Sequence, residues 1–149
     1  VDGATPLVRF PAVAALARIR LRRGDPDAAS LLAAQKLIRR MPVGESVVDA
    51  ILTLVRCARP GEPEATETVN RSVAWGPGPR AAQALMMAVR AKAVLEQRLV
   101  PSVADVVALA RPTLKHRMAL TFAAKAEGQT VEAVIDGLVA HAAEHEAVA

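Results

Sequence analysis

WGPGPRAAQAL, residues 75–85, reads as a Gly/Pro loop followed at once by a long alanine-rich helix. Pro79 suits the first helical position: its ring presets φ, and its missing N–H costs nothing where no helical acceptor exists. Arg80 then falls in the first turn, where free backbone N–H groups and the helix dipole already make the site positive. A cation there is mildly unfavourable unless an anion joins it. Loop glycines, free N–H groups and one arginine together describe a phosphate-binding corner. The bland alternative is a surface arginine after a turn. The helix this stretch opens is expected over 79–97, with Ala82, Leu85, Met86, Val89 and Ala93 inward and Arg90, Lys92 and Glu96 outward or at its edge.

The same helical spacing recurs on both sides of it. Leu31, Ala34, Ile38 and Met41 line a helix over 31–40 that Pro42 ends, and Asp27 in the turn GDPDA suits its N-cap. Glu45 or Ser46 opens the next helix, whose buried stripe is Val47, Val48, Ile51, Leu52 and Val55 and whose stop is RPGEP, residues 59–63. Residues 64–74 are polar and weakly periodic, a short helix or an irregular link. Ser102 with Asp105 three residues on has capping-box spacing, ahead of a stripe of Val103, Val106, Val107 and Ala110. Pro112 interrupts, helix resumes over 113–127, and Gly128 fits the position just past its end. Thr130 caps a last helix lined by Val131, Val134, Ile135, Leu138, Val139 and Ala142. Residues 1–27 stay open: Val13, Leu16 and Ala17 suit a helical face, yet ARIRLR, residues 17–22, alternates like a strand. The expected fold is all-α, a bundle of five to six helices joined by short loops over 28–149, with an irregular or strand-like N-terminal segment left open.

Composition agrees. The chain has 149 residues, the size of one ordinary domain, and 52% of them are hydrophobic. Much of that is alanine, with one tryptophan, two phenylalanines and no tyrosine, which favours closely packed helices over aromatic-rich strands. No apolar run approaches a membrane span, and VDGATPL at the start lacks the regions of a signal peptide, so a cytoplasmic location is expected. Val1 in place of an initial methionine fits a chain cut from a longer protein. Cys57 is the sole cysteine, which excludes an internal disulfide and suits a small core residue.

The net charge of +4 is uneven: residues 1–40 carry net +5 and residues 41–149 net −1. Arg18, Arg20, Arg22 and Arg23 form a basic cluster that would suit nucleic acid, an acidic partner or phosphates. The stacking aromatics of single-strand binders are absent, which disfavours nucleic acid. His141 and His145 lie one helical turn apart but lack a third ligand, so no metal site is expected. His116 and Arg117, in PTLKHRMAL, read either as the polar face of a packed helix or as a contact between subunits or domains. The chain holds no G-x-x-x-x-G-K-[ST] and no apolar strand ending in an acidic pair for magnesium, the parts that cradle and hydrolyse a nucleotide.

Three strings, IRRMPVGESVVDAILTLVRCARPGEP (38–63), WGPGPRAAQALMMAVRAKAVLE (75–96) and VPSVADVVALARPTLKHRMALTFAAKAEGQTVEAVIDGLV (100–139), together resemble the C-terminal lid domain of MoxR-type AAA+ ATPases. The resemblance runs from Leu31 to Val139, and the Trp-Gly-x-x-Pro-Arg-Ala and Leu-Lys-His-Arg strings are its most specific parts. It implies that Arg80 is the sensor-2 arginine, reaching ATP bound with magnesium in a neighbouring core, while this chain alone binds no cofactor. It implies that Trp75 packs at the hinge and that Gly76, Gly78 and Pro79 form the supporting loop, with residues 60–63 as a second rigid loop facing the core or an adjacent subunit. The family usually has a small residue and then serine before the Pro-Arg; here these are Pro77 and Gly78. Residues 1–27 are then a leader or a remnant of the ATPase core. The implied function is chaperone-like remodelling driven by ATP in a ring, with the AAA+ core, adjacent ATPase subunits and von Willebrand factor A-domain proteins as partners. Without Walker motifs, this chain alone is expected to be inactive. The alternatives are a free-standing helical protein-interaction module and nucleic-acid binding through residues 18–23.

Overall fold

The computed structural model describes residues 28–146. The Asp27 cap, the strand-like 17–22 and the basic Arg18–Arg23 cluster lie outside the described residues. The elements run α1 (Ala28–Arg40), α2 (Glu45–Cys57), α3 (Glu67–Ser72), β1 (Val73–Trp75), α4 (Pro79–Leu95), α5 (Val103–Leu114), β2 (Ala119–Leu120), α6 (Phe122–Ala126) and α7 (Val131–Glu146). The architecture is thus the expected helical one, with a small two-stranded ribbon added.

α4 is the helix that α1, α2 and α5 share. It packs most extensively on α5, and it also meets α2 and α1, while α7 closes against α2 and α5. One face of α4 puts Leu85 and Val89 into a core with Ile51, Leu54, Leu114, Ile135 and Leu138. Another face puts Ala91, with Met87 and Val94 beside it, against Ile38 of α1. Buried Ala81, Ala84, Ala91 and Ala93 leave room for neighbours on more than one side. An alanine-rich sequence therefore makes a central helix, not a surface one.

Several elements differ from their expected form. In α2 the buried positions are Val47, Ile51, Leu54, Val55 and Cys57, while Leu52 faces outward. In α5, Val106 and Ala110 are buried and Val107 is exposed. In α4, Ala82 and Met86 are only partly buried against the core. The helix expected over 113–127 is split. α5 carries Pro112 in its last turn and ends at Leu114, and the chain then turns to bury Met118 and Leu120. Thr121 starts α6 anew: its side chain accepts the Ala124 N–H at 3.2 Å, and its own N–H donates to the Ser72 carbonyl at 2.8 Å. β2 pairs antiparallel with β1 (Val73 opposite Leu120, Trp75 opposite Ala119) across an irregularity. The anticipated ends of α6 and α7 are found: Gly128 has φ +80 with the paired bonds of a Schellman motif, and Thr130 accepts the Ala133 N–H at 3.1 Å.

The corner between α4 and α5 is built on one buried carboxylate. Asp105 accepts both terminal nitrogens of Arg98 at 2.8 Å, Lys92 Nζ at 2.9 Å, and the Ser102 N–H at 2.8 Å and hydroxyl at 3.1 Å. To aim Arg98 inward, Gln97 takes φ 58 at the end of α4. Burial alone would raise the Asp105 pKa, but the Arg98 guanidinium, the Ser102 N–H and Lys92 together hold it far below the usual carboxylate range. The sign of the pH effect follows. The stabilisation is present above the ordinary value of 3.8 and is lost as pH falls below it toward the depressed folded value. Asp105→Asn is expected to lower stability by about 2 kcal/mol at neutral pH. Urea unfolding of both proteins at neutral pH and at about pH 2.5 checks this, because the gap between them should narrow in acid.

Candidate functional site

The loop between β1 and α4 sits on the C-terminal end of α2. At Gly76 a Cβ would lie 2.3 Å from the Ala58 carbonyl oxygen and 2.9 Å from the Arg59 Cα, so no side chain fits there. Pro77 is buried, and its carbonyl accepts the Arg59 Nε–H at 2.9 Å. The same guanidinium reaches the Glu62 carboxylate at 3.3 Å. One turn further, Gly61 at φ +85 donates its N–H to Asn70 Oδ1 at 2.8 Å, which ties the Arg59–Pro63 turn to α3. The two proline-containing loops are therefore joined through Arg59 and through the contact at Gly76.

Gly78 is the N-cap of α4, extended at φ −82 and ψ −179, with no side chain to cap the helix and open space where a Cβ would stand. Pro79 occupies the first helical position and has no N–H to satisfy. The Ala81 N–H donates to the Gly78 carbonyl at 2.8 Å. Arg80 is exposed, and among the described residues its guanidinium makes no hydrogen bond or ion pair. Its surroundings are those of an uncapped helix start with a free guanidinium beside it, an arrangement that attracts anionic oxygen.

Trp75 pairs through its backbone with Ala119, and the residue is 57% exposed. Among the described residues, the Gly76 contact on Ala58 and the Arg59 bond to Pro77 hold the loop against α2. Because the ribbon is antiparallel, the end of β1 lies beside the start of β2. The loop that leaves Trp75 and the turn that enters Ala119 thus emerge at the same end. His116 and Arg117 sit in that turn and not on a packed helical face, one of the two readings of PTLKHRMAL. His116 is exposed, and Arg117 donates to the Thr113 carbonyl at 2.6 Å, capping the end of α5. Cys57 is buried, and burial, reinforced by the charge of Glu64, pushes its thiol pKa up, which suits core packing and not nucleophilic chemistry. Among the described residues no group of three or more His, Cys, Asp or Glu comes together that could hold a metal ion. No described helix is long and apolar enough to cross a membrane.

Arg59 is the site residue that sequence reasoning missed. Its partner is a backbone carbonyl 18 residues away, and RPGEP signals only a helix stop.

With this geometry in view, comparison with known proteins gives two matches. Residues 65–138 match the family model described as the AAA lid domain. The described fold is also similar to the crystal structure of a putative ATPase from Cytophaga hutchinsonii, with a TM-score of 0.69 and 26% sequence identity. That similarity covers 73% of this chain and 33% of the other, so the chain spans about a third of that protein's length. No curated protein matches. Together the two matches support an AAA+ ATPase lid as the class of this helical body, and Arg80 falls inside the matched segment.

The two loop glycines should respond in opposite ways. Gly76→Ala drives a Cβ into backbone that cannot move aside and is expected to cost about 2–3 kcal/mol. Gly78→Ser meets open space, supplies the missing cap, and is expected to gain a few tenths of a kcal/mol. Thermal melts of the two variants check the pair.

Proposed function

We propose that this chain is the lid of a MoxR-type AAA+ ATPase and that Arg80 is its sensor-2 arginine. The observation that carries the reading is the state of Arg80: exposed, unpartnered among the described residues, and set in the first turn of a helix whose N-cap has no side chain. A phosphate oxygen fits this place, since the guanidinium and the Arg80 N–H both lack a protein acceptor there. Magnesium finds no equivalent set of ligands among the described residues, so its coordination would fall to the core.

On this reading the core holds the nucleotide and the lid supplies one positive group to the γ-phosphate. When bound, ATP supplies the charge that the Arg80 guanidinium meets. That contact is stronger with the triphosphate than with the diphosphate. Arg80 therefore biases the angle between lid and core according to nucleotide state, a switch by differential contact. The remodelling activity, the ring and the von Willebrand factor A-domain partners belong to the same proposal, and so does a cytoplasmic location. The resemblance of the 75–96 and 100–139 strings supports them.

This chain alone is expected to show no ATP turnover. In the complete ATPase, Arg80→Ala is expected to lower turnover by about tenfold to a hundredfold, the loss of one charge-assisted hydrogen bond. Steady-state ATPase assays check both. Unchanged turnover in the variant removes the sensor role.

A further inference from the structure

We infer that Arg59 is the positioning residue for Arg80, acting through the carbonyl of Pro77. The inference rests on the proposed nucleotide role of Arg80 and adds what holds that arginine in place.

The loop before α4 carries an entropy cost. The loop must pass over the Ala58 carbonyl with no side chain between them, which demands glycine at 76. Glycine is also the residue with most conformational freedom to lose, and a second one follows at 78. Such a loop stays ordered only if something outside it holds it. α4 is anchored in the core from Ala81 onward, whereas Gly78, Pro79 and Arg80 are all exposed. The order of this first turn therefore depends on the segment before it.

Arg59 supplies the hold. Its Nε–H donates to the Pro77 carbonyl at 2.9 Å, three residues before Arg80, and its Nη1 reaches Glu62 at 3.3 Å. Taken alone, the Glu62 pair is a partly exposed ion pair of little energetic weight. The bond to Pro77 differs in kind, because it joins segments 18 residues apart at a buried proline whose carbonyl needs a donor. The planar fork of arginine lets one group serve both acceptors, which the point charge of lysine cannot do from the same stem. Glu62 thus orients the guanidinium, the guanidinium holds Pro77, and Pro77 sets the entry of the chain into the turn that carries Arg80.

The test uses the isotopically labelled chain as wild type, Arg59→Ala, Arg59→Lys, Arg80→Ala and the double variant Arg59→Ala/Arg80→Ala. Amide relaxation reports the order of Gly76, Gly78 and Arg80. Steady-state ATP turnover is measured in the complete ATPase carrying the same substitutions. Arg59→Ala and Arg59→Lys should each loosen residues 76–80 of the chain while leaving the amides of α5 and α7 unchanged. In the complete ATPase each should lower turnover by about fivefold, the equivalent of one net hydrogen bond. On the Arg80→Ala background, removing Arg59 should change turnover no further. Wild-type order at 76–80 in Arg59→Ala overturns the inference, as does an equal loss of turnover with and without Arg80. A loosened loop combined with turnover indifferent to Arg80→Ala overturns the nucleotide role of Arg80 and leaves the Arg59–Pro77 hold intact, so the two failures are told apart. Should Arg59→Ala fail to fold, Arg59→Lys, which keeps the stem and the charge, carries the same comparison.

Discussion

The backbone of Gly76 rests on the carbonyl of Ala58 more closely than any side chain allows, and the geometry around Arg80 follows from that contact. It brings the end of β1 onto the end of α2. It places Pro77 within reach of the Arg59 Nε–H, and it sets where α4 begins. A single added methyl group would meet backbone on α2, and neither segment could yield without disturbing a helix or the ribbon.

From that start, α4 runs through the middle of the bundle and is pinned again at its far end. Lys92, inside its last turn, and Arg98, just beyond it, both reach the buried Asp105 carboxylate at the head of α5. Both attachments join α4 to a neighbour by a short connection across which the chain cannot slide. Between them the small alanines let α1, α2 and α5 close in on different sides. The result is a stiff helix held at both ends, carrying at its exposed start an arginine without a partner among the described residues. Rigidity behind a free charged group suits a contact completed from outside the chain, since little order has to be lost when the contact forms.

The long elements were legible because each carries enough turns for its apolar period to show. The stripe of α7 and the caps at Ser102, Thr130 and Gly128 could be read directly, since each depends on residues within a few positions of one another. What escaped depends on distance in sequence. Leu52 and Leu54 both fit a helical face at the level of spacing, and only the packing of α4 and α7 on α2 decides for Leu54. β1 and β2 have three and two residues, too few to show an alternation, and they form because each meets the other. Asp105 was visible as half of a cap, while its role as acceptor for Lys92 and Arg98 needed the α4–α5 corner to be folded. At the site, Pro79 and Arg80 were legible from helix-start chemistry. Arg59 was not, because a bond to a backbone carbonyl leaves no mark on the identity of its partner.

The central claim is that the guanidinium of Arg80 meets a nucleotide held by another part of the complete protein. The most direct measurement is an experimental structure of the complete ATPase with magnesium and a non-hydrolysable ATP analogue. The account predicts an Arg80 guanidinium nitrogen at about 3 Å from a γ-phosphate oxygen, with Arg59 still bound to the Pro77 carbonyl. An Arg80 directed away from the nucleotide, with the γ-phosphate met wholly by other groups, contradicts it.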